Sequence, residues 1–555
     1  MLCKSDVPST SFTMFTFPMP AIYDGIILGA GHNALVLQAY LTRSGLRVLS
    51  LDRAQVPGGG LATEEHPGNP GFLHNTHSFF HRALVTMPWY RDLELERHGA
   101  RYIEPELNVA MILRDGRALE WWTDIDRTSE SFAEFSKPDA AALRRWVDEF
   151  RPIVDRILSV EAQSPPLDPE RRRELLQRTK LGRRLLEVAA LSPTEFVQRE
   201  FESDVVRAGL LFFNGLREID LRLPGFGHSI PALLAGPHKA QMCIGGSARL
   251  AEALVADIRE HGGEVRTGVE IRAILTRNGR AIGVELASGE RIEAKAFVAS
   301  GLNPQQTFLD LLDANAVPQD LRERASGFQY NLLAPLFALN VAVHEPPRYT
   351  ATEKRPELTR AFMVILGLEH FSQFSEIVSA HEHGEFPPPV MWGACPTLFD
   401  PTQAPAGKHT AFMWEKLPYA LRGSASNWDL EKDHHARRML TLWAEYAPNL
   451  AEGTVIDWFC RSPLDTERKL PNMRFGDLLV GSFANGQTGY NRPFPGAGEY
   501  RTPIEALYLC GGSTHPGGNI TGLCGYNAAS VVASNLGLRL WWEPRSAESA
   551  LGAVE

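Results

Sequence analysis

The densest group of histidines in the chain is the stretch His74-Asn75-Thr76-His77-Ser78-Phe79-Phe80-His81. Histidine changes its charge close to neutral pH, so it often carries protons in catalysis and is a common metal ligand. Spacings of three and four residues would place His74, His77 and His81 along one helical face, a geometry compatible with metal ligation. No carboxylate or cysteine completes a recognisable metal signature, so we predict no metal site.

The histidine stretch follows a run of glycines, Gly58-Gly59-Gly60, directly. Three consecutive glycines suggest that the backbone passes very close to something bulky, because glycine has no side chain to keep it away. A flexible surface loop is the alternative. We interpret the histidine stretch as the wall of a ligand pocket, with ordinary packed or exposed histidines as the other interpretation.

The element that would position this pocket is the stretch from Tyr23 to Asp52. An apolar run, Ile26 to Leu28, ends in Gly29-Ala30-Gly31-His32-Asn33-Ala34, and apolar residues then recur at roughly helical spacing. A second apolar run, Leu46 to Leu51, ends at Asp52. This order predicts a strand, a glycine turn, a helix and a second strand, which together make one βαβ unit.

Each part of this unit suits a dinucleotide. Gly29 permits the tight turn, Gly31 lets the backbone approach a pyrophosphate, and Ala34 still allows close packing of the helix on the strand. The helix N-terminus offers free N–H groups to phosphates. Asp52 lies 21 residues after Gly31, about where an acid that binds a ribose belongs. The alternative is a glycine turn in an unliganded α/β domain, and the stretch itself does not choose between NAD and FAD.

Composition sets further limits. A chain of 555 residues is too long for one simple core, so two domains are expected. Its net charge of −10 argues against a nucleic-acid partner, whose binding surface would be basic. No apolar run approaches the ~20 residues of a membrane span. Six scattered cysteines without metal spacing are typical of a reducing cytoplasm.

Two strings carry a resemblance to a known family. GAGHNALVLQAYLTRSGLRVLSLDR followed by PGGGLATEE resembles the phytoene desaturase-like branch of the FAD-dependent amine-oxidase superfamily, especially its pyridine nucleotide-disulphide oxidoreductase domain-containing protein 2 group. That group is also similar to carotenoid isomerases and retinol saturase. The segment from Leu507 to Ala529 resembles the family's C-terminal FAD motif. No redox cysteine pair lies near the first βαβ unit, so we discard disulfide chemistry.

The resemblance, which spans about residues 22–540, implies an α/β fold (α+β overall). A Rossmann-like FAD-binding domain of the amine-oxidase type would be interleaved with a substrate domain made of a mixed sheet and helices. We expect the FAD-binding domain at 22–85, 239–310 and 476–540, and the substrate domain at 86–238 and 311–475. Residues 1–21 would be an N-terminal extension, and residues 541–555 a C-terminal tail.

The resemblance also implies which residues hold FAD. Val269 would hold the adenine ring through its backbone, Gly511 and Gly512 would pass the ribityl phosphate, and Gly522 and Leu523 would lie under the pyrimidine edge. A helix that begins there can place N–H groups against the anionic end of a reduced flavin. The full predicted set is Gly29, Gly31, His32, Asn33, Ala34, Asp52, Arg53, Gly59, Gly60, Leu61, Val269, Gly511, Gly512, Gly522 and Leu523.

The chemistry implied is dehydrogenation of a C–C bond in a small, apolar or carbonyl-activated molecule, with the hydride going to flavin N5. The electrons would pass to oxygen, a quinone or another carrier, because no second convincing glycine motif for a nicotinamide is present. Two alternatives stay open: a redox-neutral double-bond isomerase, and a non-enzymatic prenyl-protein escort of the GDP-dissociation-inhibitor type. The candidate bases are His77, His81, Tyr490 and His515. For His515 a backbone-bracing role is favoured, and for Tyr490 simple packing is the alternative.

An arginine-rich stretch begins at Asp168, a helix N-cap followed by Pro169, and runs to about Ala190. With its leucines it could lie on a membrane surface. A solvated helix with arginine–glutamate pairs is the more common alternative, so a peripheral membrane contact stays open, as does self-association.

Overall fold

Two seven-stranded sheets form the framework of the protein. The structure is a computed structural model that describes residues 22–215, 219–451 and 453–554. The extension expected at 1–21 lies outside these residues. The strands of the described residues are β1 (Ile22–Leu28), β2 (Val48–Leu51), β3 (Thr63–Glu65), β4 (Leu73–Asn75), β5 (His81–Arg82), β6 (Tyr102–Ile103), β7 (Leu107–Ile112), β8 (Ala118–Trp122), β9 (Ala240–Cys243), β10 (Glu264–Arg266), β11 (Ile271–Arg277), β12 (Arg280–Leu286), β13 (Arg291–Ser300), β14 (Leu336–Val343), β15 (Met363–Leu366), β16 (Met391–Ala394), β17 (His409–Lys416), β18 (Val455–Arg461) and β19 (Leu507–Leu509).

Helices cover the sheets and join their strands. In the same residues the α-helices are α1 (His32–Arg43), α2 (Pro88–Asp92), α3 (Ile125–Phe135), α4 (Lys137–Ile153), α5 (Ser159–Ala162), α6 (Pro169–Arg178), α7 (Lys180–Ala189), α8 (Pro193–Glu200), α9 (Asp204–Gly215), α10 (Ser229–Ala235), α11 (Ala248–Glu260), α12 (Gln319–Ser326), α13 (Gln373–His383), α14 (Trp428–Tyr446), α15 (Pro463–Lys469), α16 (Leu523–Asn535) and α17 (Ala547–Gly552).

The first sheet is parallel at its centre. Its order is β10-β2-β1-β13-β12-β11, and β19 pairs with β13. Strands β10, β2, β1, β13 and β19 run parallel, whereas β12 and β11 extend the sheet as antiparallel strands. The predicted βαβ unit is confirmed as β1, α1 and β2, and β12 and β13 form an antiparallel hairpin.

Helix α1 lies at the centre of this domain. Ten of its twelve residues are buried, because it packs against β1 and β2 and against α11 and α16. The wholly buried Gln38 donates its amide N–H to the carbonyls of Val48 and Glu264 (3.0 and 2.8 Å). A buried polar side chain needs such partners, so Gln38 fixes the helix over β2 and β10.

The second sheet is mixed, with the order β18-β14-β17-β16-β15-β7-β8. Only β15 and β7 pair in parallel; the other neighbours are antiparallel. The apolar run that begins at Leu332 contains β14, all eight residues of which are buried. The fold class, a Rossmann-like α/β domain with a mixed-sheet and helical part, is confirmed.

The strands of each sheet come from separate parts of the chain. Those of the first sheet lie within 22–85, 239–310 and 476–540, and those of the second lie within 86–238 and 311–475. A small sheet, β5-β9-β6, joins these parts. The proposed domain division rests on this grouping and stays a prediction.

The arginine-rich stretch forms two helices, α6 and α7. Asp168 caps α6 by accepting from the N–H groups of Glu170 and Arg171. Arg171 pairs with Glu174 and Glu548 (2.7 and 2.6 Å). Leucines 175, 176 and 185 are buried in the core. These pairs and this burial are typical of a solvated helix packed on its own protein.

The C-terminal segment also packs on the domain. Trp541 stacks on Tyr40 with ring centroids 5.0 Å apart and donates its indole N–H to the carbonyl of Tyr40 (3.1 Å). Within the described ranges, no helix is long and apolar enough to cross a membrane.

Candidate functional site

A cavity of about 330 Å³ lies at the carboxyl ends of four parallel strands. Gly29 follows β1, Asp52 follows β2, Gly301 follows β13 and Gly511 lies just beyond β19, and all four residues line the cavity. In doubly wound α/β sheets, ligands bind at this edge. The strand order therefore assembles, from three distant parts of the chain, the site that the first βαβ unit predicts.

The glycine turn leaves open space in this cavity. Gly29 has φ +92°, a left-handed conformation that favours glycine. A methyl group added at Gly31 would meet no protein atom within 4 Å, so this backbone faces free room. His32, Asn33 and Ala34 line the same space as the first residues of α1. First-turn N–H groups have no partner inside a helix, so they are available to an anion here.

Asp52 holds the cavity together as well as lining it. One carboxylate oxygen accepts from the N–H of Ala30 in the glycine turn (2.7 Å), and the other accepts from Ala54 (2.8 Å). A carboxylate has about four acceptor positions, so capacity for a ribose hydroxyl remains. Val269 also lines the cavity, but its N–H donates to the carbonyl of Asp52 (3.0 Å). Contact with an adenine ring would therefore fall to the Val269 carbonyl.

The other predicted cofactor residues divide into two groups. Arg53, Gly59, Gly60, Gly511 and Gly512 line the cavity, whereas Leu61, Gly522 and Leu523 do not. Leu61 is buried in the hydrophobic core.

Gly522 packs against the ring of Trp89 and does not line the cavity. It has φ +67°, and an added methyl group would come within 2.5 Å of the Trp89 ring. Trp89 in turn donates to the carbonyl of Thr521 (2.7 Å). The start of α16 is thus fixed by packing on Trp89, and the neighbours Asn519 and Ile520 line the cavity instead.

A second cavity, of about 350 Å³, adjoins the first. The two share the lining residues Gly60, Met473, Leu478, Asn519 and Ile520. One wall of the second cavity is the stretch from His77 to Ala83, and the opposite elements supply Leu336, Trp392 and Trp414 from the second sheet. The predicted pocket wall is therefore present, and it faces an aromatic and apolar chamber between the two sheets.

The helical face predicted for His74, His77 and His81 is wrong. His74 lies in β4 and His81 in β5, with an irregular segment between them. β4 pairs with β3, and β5 pairs with β9, which is more than 150 residues away. These pairings override the local spacing. Across the described residues, no group of three His, Cys, Asp or Glu side chains is arranged to hold a metal ion.

Both histidines of the pocket wall are buried and neutral near pH 7. Burial, and to a smaller extent the nearby charge of Arg461, lowers the pKa of His77 to about 4. Burial lowers the pKa of His81 to about 3, with a smaller effect of His32. Nε2 of each ring is buried and has no hydrogen-bond partner among the described residues.

The two other candidate bases are elsewhere. Tyr490 lines neither cavity. His515 lies in the C-terminal glycine loop, and its Nε2 is 2.9 Å from the carbonyl of Glu161. A carbonyl can only accept, so this nitrogen donates, and His515 ties the loop to the end of α5. This contact fits the backbone-bracing role.

Two residues that sequence reasoning did not assign support or line the site. Arg492, wholly buried, donates to the carbonyls of Ser482, Gln487, Gly481 and Gly512 at 2.9–3.2 Å. Lys416 lines the second cavity beside Trp392 and Trp414. Both residues are remote in sequence from the first βαβ unit, so no local pattern there assigns them.

Comparison with known proteins gives relatives over almost the whole chain. Residues 27–92 match the NAD(P)-binding Rossmann-like domain. The chain is 31% identical to a limonene dehydrogenase component of Castellaniella defragrans, over 94% of this chain and 96% of that protein. It is 29% identical to pyridine nucleotide-disulfide oxidoreductase domain-containing protein 2 of Rattus norvegicus (93% and 94%). It is 23% identical to the lycopene-forming phytoene desaturase of a Paracoccus species (93% and 98%).

Solved structures share the fold at low identity. Cyclohexylamine oxidase from Brevibacterium oxydans superposes with a TM-score of 0.57 at 15% identity, over 93% of this chain and 99% of that one.

Proposed function

The chain belongs to the phytoene desaturase-like family of FAD-dependent oxidoreductases, and we propose that it dehydrogenates a C–C bond of a compact, apolar molecule with bound FAD. The observation that carries this proposal is the pair of adjoining cavities, one lined by glycine backbone and one by aromatic side chains, with five lining residues in common. Such an arrangement would bring a cofactor and a substrate together at the shared boundary.

The first cavity fits FAD by its chemistry. The open space at Gly31 and the free N–H groups at the start of α1 suit a pyrophosphate. Asp52 lies where a ribose hydroxyl can donate to it. The cavity then continues past Gly511 and Gly512 to Asn519 and Ile520, where the flavin end of the cofactor would lie. When bound there, FAD would supply the hydride acceptor.

The second cavity favours a small substrate. Its volume of about 350 Å³ is at the low end of the roughly 300–1,000 Å³ typical of sites for small molecules. Limonene dehydrogenase, as its name states, acts on a compact hydrocarbon, and phytoene desaturase acts on a long one. The cavity volume and the likeness to limonene dehydrogenase support a compact substrate about the size of limonene. The electrons would then pass to oxygen, a quinone or a protein carrier.

Anaerobic mixing of the FAD-loaded protein with limonene tests this function. We expect bleaching of the visible flavin band and formation of a product with one more double bond, and no bleaching with phytoene. Product formation without net flavin reduction would indicate the isomerase instead. A purified protein that is colourless and cannot be reconstituted with FAD would overturn both enzyme functions.

A matched pair of variants locates the reaction in the second cavity. Leu336→Trp would fill this cavity, since Leu336 lines it, and should abolish bleaching by limonene while FAD stays bound. Leu430→Trp makes the same change at a side chain that is 85% exposed and should leave bleaching intact. Equal effects of the two variants would argue against this location.

A further inference from the structure

A chain of hydrogen bonds leads from Glu64 to the histidine wall of the second cavity. The Thr76 hydroxyl donates to Oε1 of Glu64 (2.9 Å) and lies 2.9 Å from Nδ1 of His77. Arg461 donates to Glu64 (2.6 Å), and Lys469 pairs with it too. Two cations beside one carboxylate favour its ionised form, so Glu64 is an acceptor only.

These contacts determine which nitrogen of His77 carries the proton. A threonine hydroxyl has a single proton to donate. Because Thr76 gives that proton to Glu64, its oxygen must accept from His77, so Nδ1 is the protonated nitrogen. Nε2 then has a free lone pair. This nitrogen is buried and has no partner among the described residues, and His77 is one of the residues that line the second cavity. A buried polar atom without a partner is uncommon and calls for an explanation.

His81, the other histidine of this wall, lacks such a chain. Its Nδ1 lies 2.7 Å from the hydroxyl of Tyr102, and Tyr102 lies opposite Cys243 where β6 pairs with β9. Burial raises the pKa of Tyr102 well above its usual value and that of Cys243 to about 12. Both groups are therefore neutral, and this chain ends without a charged acceptor.

Resting on the proposed dehydrogenation, we propose that His77 is the base of the second cavity and that Thr76 and Glu64 are positioning residues that keep its Nε2 free to accept a proton. A substrate C–H bond breaks and its proton goes to Nε2, while the electron pair of that bond forms the new C=C bond. The neighbouring carbon loses a hydride to the bound flavin. The Nδ1 proton passes to Thr76 as the Thr76 proton passes to Glu64.

The surroundings of the chain fit this direction of transfer. Burial and the charge of Arg461 disfavour a protonated His77. Arg461 and Lys469 likewise disfavour a protonated Glu64, so neither group stores the proton. The Glu64 side chain is 25% exposed, and a proton on it can reach solvent.

Nuclear magnetic resonance of protein with ¹⁵N-labelled histidine tests the tautomer without any substrate. The His77 signals are assigned by their loss in His77→Gln. We expect a protonated Nδ1 and an unprotonated Nε2 in the wild type and in Thr76→Ser, which keeps the hydroxyl. Thr76→Val, which has nearly the same shape but no hydroxyl, should shift the ring toward the Nε2-protonated form. A wild-type His77 protonated at Nε2 would overturn the inference.

Single-turnover reduction by limonene tests the base. His77→Gln should slow flavin reduction by about 10²–10⁴-fold, the usual contribution of a general base. Thr76→Val should also slow flavin reduction, with unchanged limonene affinity. Thr76→Ser should keep the wild-type rate of reduction. Tyr102→Phe, the matched change behind His81, should leave the rate near that of the wild type.

The outcomes separate this inference from the proposed function. Wild-type rates in Thr76→Val or His77→Gln would overturn the role of His77 while the dehydrogenase stands. No reduction by limonene in the wild type would count against the proposed function, and the tautomer measurement would then decide the inference.

Discussion

Replacing Gly31 by alanine should weaken flavin binding and spare the fold, whereas replacing Gly525 by alanine should do the opposite. Gly31 is the N-cap of α1, and Gly525, in α16, packs against the first turn of α1. Gly31 has φ −71° and ψ 162°, a conformation open to any residue. An added methyl group there meets no protein atom within 4 Å, but at Gly525 it would stand 1.9 Å from the carbonyl oxygen of Asn33.

The expected magnitudes follow from these contacts. At Gly31 the methyl group would occupy the space through which a pyrophosphate approaches the backbone. Loss of one hydrogen bond to a charged group costs roughly 1.5–3 kcal/mol, which corresponds to about a 10- to 100-fold rise in the Kd for FAD. The fold should lose no more than about 1 kcal/mol, because alanine is a poorer N-cap than glycine.

Gly525 lies where α16 crosses α1. A distance of 1.9 Å is far shorter than any real contact, so the two helices must move apart. Overpacking of this kind costs about 1–3 kcal/mol. Gly525 lines neither cavity, so its effect on FAD should be smaller and indirect.

Two measurements check the pair of variants. Titration of the apo-protein with FAD, followed by quenching of flavin fluorescence, gives the Kd, and circular dichroism on heating gives the Tm of the apo-protein. An unchanged Kd in Gly31→Ala would refute the close approach of a phosphate to this backbone. A fall in Tm as large for Gly31→Ala as for Gly525→Ala would refute the open space at Gly31.

Two further predictions concern buried side chains that can carry a charge. Arg492→Met should lower the Tm of the apo-protein and cost about 1–3 kcal/mol of unfolding free energy, because the carbonyls of Gln487, Gly481 and Gly512 lose this donor. A Tm equal to that of the wild type would contradict this bracing role. Burial lowers the pKa of His74 to about 3, so the unfolded chain takes up a proton below pH 6.5 while the folded protein does not, and stability falls as the pH drops from 6.5 toward 3. His74→Phe removes this effect, so it should raise the unfolding free energy by about 2 kcal/mol more at pH 5 than at pH 8, because pH 5 lies about 1.5 units below the unfolded pKa. The Tm should rise accordingly. An equal change in Tm at both pH values would exclude this titration.

The local pattern of the chain was sufficient for the first βαβ unit. Glycine at 29 and 31, the apolar runs on either side and Asp52 act within some thirty residues, where chain geometry leaves few alternatives. The N-cap at Asp168 was predicted for the same reason. The family resemblance added the C-terminal glycine loop.

Spacing failed where long-range pairing decides the structure. His74, His77 and His81 have helical spacing, but β4 and β5 pair with distant strands and leave the histidines on an irregular wall. The position of Gly522 likewise depends on Trp89, which is over 400 residues away. No local pattern contains such contacts.

The sequence by itself determined that a βαβ unit with a glycine-lined cradle is present and which glycines and which acid line it, because those residues act through the backbone conformation of neighbouring positions. Only the tertiary structure decided what faces that cradle. The second cavity is bounded by side chains from β14, β16 and β17 and from the histidine wall, and these meet only when two sheets from five chain segments pack together. The protonation of His77 was decided in the same way, by Thr76 next to it and by Glu64, Arg461 and Lys469, which the fold brings to one place.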